Sequence, residues 1–231
     1  MPLETVFLDA GGVLLYPNWW RVSGVLAKHG VQVGPEALAG ADPRARRQLD
    51  DTRTIGTTTD ASRGWLFFDL ILEHAGIARS AATAAALAEL HEYHTASNLW
   101  EYVPPYVPPV LAALRARGLR LVVVSNANGT LHAHLARLGL TDAFDCVLDS
   151  ADEGVEKPDP RFFDIALERA AASAPTTIHV GDLYHVDVIG ARNAGIRPVL
   201  LDEADLRPDA DCARVKSLDE LVSRIAEGSF D

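Results

Sequence analysis

Cysteine is nearly absent. The 231 residues hold two, Cys146 and Cys212, far apart and with no neighbouring Cys or His at metal-ligand spacing, which argues against a disulfide framework and leaves both as small buried hydrophobes. Lysine is almost as rare, at Lys28, Lys157 and Lys216, so the position of each carries information. Positive charge as a whole is short, with 21 Lys and Arg against 32 Asp and Glu and a net charge of -11. Its one cluster, Arg44, Arg46 and Arg47, is interleaved with Asp42, Asp50 and Asp51 and reads as a solvated helix face. A nucleic-acid partner, which needs a concentrated positive face, is not expected. No apolar run approaches the roughly 18 residues of a membrane span, and the N-terminus lacks the basic-then-apolar pattern of a secretory leader, so a cytoplasmic protein with no membrane partner is expected. With 48% hydrophobic residues, the chain can bury one substantial core and a smaller module.

The stretch Val6-Phe7-Leu8-Asp9-Ala10-Gly11-Gly12-Val13-Leu14 organises the rest. A short apolar run ends in one carboxylate and a glycine pair, as a buried strand would if it delivered Asp9 to the crevice where open parallel sheets bind ligands. Taken alone, Asp9 also reads as a turn residue closing a strand. From Tyr16 to Val103 the pattern is helical, over Trp19 to His29, Pro35 to Asp50, Ala61 to Ala75 and Ser80 to Asn98. Roughly ninety residues are too many for a plain loop between elements of one sheet, and a small helical module is expected there. The paired prolines of Tyr102-Val103-Pro104-Pro105-Tyr106-Val107-Pro108-Pro109 suggest an extended linker leading back.

Alternation follows. Helices over Val110 to Arg117, Thr130 to Leu138, Arg161 to Ala172 and Asp187 to Ala194 interleave with strands over Leu119 to Val124, Cys146 to Leu148, Thr177 to Val180 and Arg197 to Leu201. A weaker strand lies near Ala213 to Val215, and Ser217-Leu218-Asp219-Glu220 reads as a capping box opening the last helix. The order implies an α/β fold, a parallel sheet with helices on both faces. The core is expected over 1–15 and 104–231, with the helical module over 16–103.

Three more strands end in polar residues able to share the crevice with Asp9. Ser125 and Asn126 follow Val122-Val123-Val124, where Ser125 also suits loop capping. Lys157 sits in Gly154-Val155-Glu156-Lys157-Pro158-Asp159-Pro160, a stiff loop or a plain surface position. Asp182 and Asp187 sit in Gly181-Asp182-Leu183-Tyr184-His185-Val186-Asp187, where Asp187 also suits a helix N-cap. In this order the residues resemble the haloacid dehalogenase superfamily of aspartate-nucleophile hydrolases, over nearly the whole chain. The resemblance implies a Rossmann-like core with a helical cap, and a magnesium-dependent phosphatase acting on a small phosphorylated metabolite. It assigns Asp9 as nucleophile, Ser125, Asn126 and Lys157 to the phosphate, and Asp9, the Gly11 carbonyl, Asp182 and Asp187 to magnesium.

One departure stands out. Phosphatases of the superfamily usually carry a second aspartate two positions after the nucleophile as general acid and base, and here that position is Gly11. The base must then be missing or borrowed, for example from His185. Two alternatives follow: cleavage of a carbon-phosphorus or carbon-halogen bond on the same scaffold, or a phosphate-binding protein with vestigial turnover. By the resemblance, the phosphonate-cleaving branch needs a cap lysine, and Lys28, the sole candidate, reads as a snorkelling helix residue. His91-Glu92-Tyr93-His94 lacks zinc-protease spacing. Trp19 and Trp20 suit either a pocket or packing. The oligomeric state is not encoded in any motif.

Overall fold

The computed structural model describes residues 1–230, apart from the side chains of Thr52, Arg53, Ile55, Asp60 and Ala61. Two compact units emerge, one formed by Met1–Leu14 with Val103–Asp231 and the other by Leu15–Tyr102.

The first unit opens with β1 (Thr5–Leu8), buried at every position. The second holds five helices: α1 (Trp19–Lys28), α2 (Pro35–Leu49), α3 (Thr52–Thr57), α4 (Asp60–His74) and α5 (Ala81–Ser97). Trp19, Leu26, Leu38, Phe67, Phe68, Ile71 and Leu90 form its core, while Tyr16 and Tyr102 exchange backbone hydrogen bonds of 2.9 and 3.0 Å. The short α3 was not expected. Arg46 departs from the solvated reading: its guanidinium pairs with Asp42 one turn away and lies over the Phe67 ring, 5.0 Å from the centroid, because burying an arginine stem is favourable when its head finds a carboxylate and an aromatic face. Lys28 is exposed and pairs with Glu89 at 2.8 Å. Trp19 is buried in the core, whereas Trp20 is 60% exposed.

The first unit resumes with α6 (Val107–Ala116), β2 (Arg120–Ser125), α7 (Leu131–Arg137), β3 (Cys146–Asp149), α8 (Ser150–Glu153), α9 (Pro160–Arg169), β4 (Thr177–Gly181), α10 (Ile189–Asn193), β5 (Arg197–Leu201), β6 (Ala213–Val215) and α11 (Leu218–Ala226). The sheet runs β3-β2-β1-β4-β5-β6, and every pairing is parallel. Phe7, Val122, Val124 and Leu148 pack with Phe162 and Phe163 of α9. The alternate residues Val6, Leu8, Leu121 and Val123 are also fully buried, as a parallel sheet covered on both faces requires. No helix among the described residues is long and apolar enough to cross a membrane.

Several expectations need correction. Helix α6 already begins at Val107, so Pro108 and Pro109 lie in its first turn instead of an extended linker. Proline is tolerated there because first-turn N–H groups have no helical partner to lose. Asp187 is neither an N-cap nor the start of α10. It lies inside a wide turn over Tyr184–Val188, in which the Ile189 N–H donates to the Tyr184 carbonyl. The capping box is half formed: Ser217 accepts from the Glu220 N–H, but the Glu220 carboxylate accepts from the Lys216 N–H. Helix α8 was not expected. Both cysteines are free and only half-buried, and burial raises their thiols above the ordinary range.

Candidate active site

Strand order places the site. From β1 the chain moves to β2 and β3 on one side, then returns to β4, β5 and β6 on the other, so the order reverses between β1 and β4. Ligands of open parallel sheets bind beyond the carboxyl ends of the strands at such a reversal. Asp9 follows the last residue of β1, and its N–H donates to the Val180 carbonyl of β4 at 2.9 Å. Asp182 follows the last residue of β4. Gly12 takes φ 78°, a left-handed conformation that glycine adopts without strain, and turns the chain away behind Asp9 and Gly11.

Lys157 enters from the loop before α9. Its ammonium lies 3.0 Å from Asp9 Oδ1 and 2.7 Å from Asp187 Oδ1, and the Lys157 and Asp187 side chains are each only 1% exposed. Burial on its own favours losing the lysine proton, but the charge of Asp187 and then that of Asp9 outweigh it and hold Lys157 above the ordinary lysine range. Burial likewise favours protonating Asp187, yet Lys157, followed by the His179 hydrogen bond, keeps that carboxyl below its usual range. The result is a buried carboxylate-ammonium-carboxylate chain ending at Asp9.

Gly181 makes room for this chain. A Cβ at that position would stand 2.1 Å from Asp187 Cγ, so the carboxylate occupies the space that any other residue would fill. Asp187 Oδ2 accepts from the Leu183 N–H at 3.0 Å, while His179 Nε2 lies 3.0 Å from Oδ1.

The Asn126 side chain braces the lysine loop. Its Oδ1 accepts from the Lys157 N–H at 2.8 Å and its Nδ2 donates to the Lys157 carbonyl at 3.0 Å, which grips the lysine loop at its backbone. Ser125 is buried at the end of β2, in register with Asp149 of β3. Asp149 accepts from the Gly129, Leu131 and Ala151 N–H groups at 2.8, 3.1 and 3.0 Å, and so shapes the loop following Ser125. Neither His179 nor Asp149 was singled out from sequence. Asp149 was signalled by the apolar run Val147-Leu148 before it, and His179 by being polar within a buried apolar strand.

Asp9, Asp182 and Asp187 each offer a carboxylate oxygen, and these lie within 4.8 Å of one another. An all-oxygen donor set at the mouth of a strand crevice suits a hard divalent cation such as magnesium. Asp187 takes Lys157 and His179 on Oδ1 and the Leu183 N–H on Oδ2, and Asp9 takes Lys157 and the Ala10 N–H on Oδ1. The Tyr184 hydroxyl, in the same loop as Asp182, donates to Asp211 at 2.6 Å.

The chain is similar to known proteins over most of its length. Over 178 residues the chain is 34% identical to the human (Homo sapiens) haloacid dehalogenase-like hydrolase domain-containing protein 3, covering 75% of this chain and 70% of that protein. Over 198 residues it is 31% identical to the ribulose-1,5-bisphosphate 5-phosphatase of Halopiger xanaduensis, covering 83% and 81%. Among solved structures, YfnB of Bacillus subtilis, crystallised with magnesium, shares the fold with a TM-score of 0.69 at 18% identity, over 97% of this chain and 99% of that one. Residues 3–195 match the haloacid dehalogenase-like hydrolases. A match spanning most of the chain, around a strand-end aspartate at the sheet reversal, makes this protein a hydrolase that belongs to the haloacid dehalogenase-like family.

Proposed function

We propose that the protein is a magnesium-dependent phosphohydrolase of small phosphorylated metabolites, working through an aspartyl-phosphate on Asp9 and built as a catalytic core with a helical cap over 16–103. The observation that carries this reading is the Asp9 carboxylate at the end of β1, 3.0 Å from a buried ammonium and grouped with two further carboxylates. The phosphatase name of the Halopiger relative supports the phosphoryl class over the others.

A carboxylate approaching a phosphate dianion meets a repulsion of about 4 kcal/mol per unit charge pair at 4 Å and an effective dielectric near 20. Lys157 supplies one compensating charge. Magnesium held by Asp9, the Gly11 carbonyl and Asp182, with Asp187 alongside, would supply the larger one and neutralise phosphoryl oxygens. The second Asp9 oxygen attacks phosphorus, and the ester bond breaks with its electron pair leaving on the departing oxygen. Ser125 orients a phosphoryl oxygen, while Asn126 acts by gripping the Lys157 loop. Water then cleaves the acyl phosphate and regenerates Asp9. A carbon-halogen substrate would give the Asp182 carboxylate no charge to manage.

Position 11 offers no side-chain acid, so substrates whose leaving groups depart as stable anions are favoured. Phosphate release from an aryl phosphate is expected with magnesium and lost with a chelator. An alkyl phosphate should react slower by about 10²- to 10⁴-fold, the usual contribution of general acid catalysis. Release from the aryl ester that is indifferent to the chelator would overturn the reading.

A further inference from the structure

His179 is the one ionisable residue of β4. Its side chain is fully buried, its ring stands edge-on to Phe163 with centroids 4.9 Å apart, and its Nδ1 has no hydrogen-bond partner. Only Nε2 is used, toward Asp187 Oδ1. An imidazole whose one engaged nitrogen faces a carboxylate carries its proton there and donates it. An unpartnered buried nitrogen costs free energy that an apolar side chain of similar volume would avoid. The one side-chain hydrogen bond that offsets it is the Nε2–H bond to Asp187.

That bond completes a cage. Asp187 takes Lys157 and His179 on Oδ1 and the Leu183 N–H on Oδ2, from three separate segments. Alternation along β4 puts Gly181 on the same face as His179, so one residue opens the space for the carboxylate and the other fixes its orientation.

We propose that His179 is a positioning residue for Asp9 chemistry: by donating to Asp187 it holds that carboxylate against Lys157, and thereby keeps the ammonium 3.0 Å from Asp9. The assignment rests on the phosphohydrolase reading above. His179 itself acts only through Asp187 and Lys157.

The test compares His179→Leu with His179→Gln, which keeps an N–H donor, each alone and in a Lys157→Met background. With an aryl phosphate and magnesium, His179→Leu should lower kcat/KM by about 10- to 100-fold, the range seen when a partner of an active-site carboxylate is removed, and Gln should recover most of it. In the Lys157→Met background the Leu substitution should change little, because the group it positions is gone. Equal losses in both backgrounds, or no recovery by Gln, would overturn the proposal. A second readout is independent of turnover. The buried Lys157 ammonium should give an exchange-protected nitrogen-proton NMR signal in wild type and His179→Gln that His179→Leu loses, with His179→Met as the apolar variant if Leu does not fold. An unchanged signal in the apolar variant would overturn the proposal. A wild type without magnesium-dependent release removes the parent reading alone, and the lysine signal then decides whether His179 holds Lys157.

Discussion

Lys157 and Asp187 form an ion pair of 2.7 Å in which each side chain is 1% exposed. A pair this deeply buried is costly to break from one side. Lys157→Met leaves Asp187 without its cation and should destabilise the fold by about 3–5 kcal/mol, read as a shift in the urea midpoint. Lys157→Met with Asp187→Leu should regain much of that stability without regaining wild-type activity. A single Lys157→Met variant with an unchanged midpoint would contradict the pairing.

The pH dependence of stability follows from the same groups. Burial lowers His179 below its ordinary value of 6.5, with the Asp187 hydrogen bond opposing only in part. The unfolded chain therefore takes up that proton first, and stability present above about pH 6.5 declines as pH falls toward the folded value. Asp187 has the same sign further down, since its pKa is depressed from 3.8: its contribution is present above that value and lost as pH falls through the folded one. Lys157 has the opposite sign. Raised from 10.5, it contributes fully below that value and loses the contribution as pH climbs through the folded one. Urea midpoints should be flat from about pH 7 to 8, decline below about 6.5, and decline again above about 8.5, where the thiols of Cys146 and Cys212, raised by burial, deprotonate first in the unfolded chain. His179→Gln should soften the first part of the acid limb, and an identical limb in that variant would contradict the assignment.

Gly181→Ala tests the space under Asp187. A methyl 2.1 Å from Asp187 Cγ forces the carboxylate to move, so Gly181→Ala and Asp187→Ala should lose activity alike, the former with a stability loss of about 1–3 kcal/mol from overpacking. Steady-state kinetics and thermal melting decide the matter. Full activity in Gly181→Ala would show that the geometry of Asp187 is not needed.

The sheet was legible because its strands are short apolar runs, each closed by a polar residue or glycine, and helical segments separate all but the last two. Of the residues expected at strand ends, Asp9 and Asp182 do stand there, whereas Lys157 lies beyond α8 in the loop before α9 and Asp187 lies inside the turn after β4. Their pairings were not legible. The grip of Asn126 on the Lys157 backbone joins residues 31 apart, and nothing local to either announces it. His179 is visible as a polar residue inside an apolar run, but strand periodicity does not show that it bonds Asp187, eight residues on in the turn after β4. Pro108 and Pro109 misled because proline breaks helices everywhere except the first turn. The wide turn at Tyr184–Val188 has no periodic signature, so Asp187 read as the start of a helix that begins later.

The most direct test of the account is the covalent state of Asp9 during turnover. With no side-chain acid or base at position 11, hydrolysis of the acyl phosphate should be slower than its formation, so the phosphoenzyme should accumulate. Wild type mixed rapidly with an aryl phosphate and magnesium, quenched in acid and analysed by peptide mass spectrometry, should carry a phosphoryl group on the peptide containing Asp9, alongside a burst of phenol approaching one equivalent. Asp9→Asn should show neither. A phosphoryl group on another residue, or undiminished phosphate release from Asp9→Asn, would contradict the assignment of Asp9 as the nucleophile.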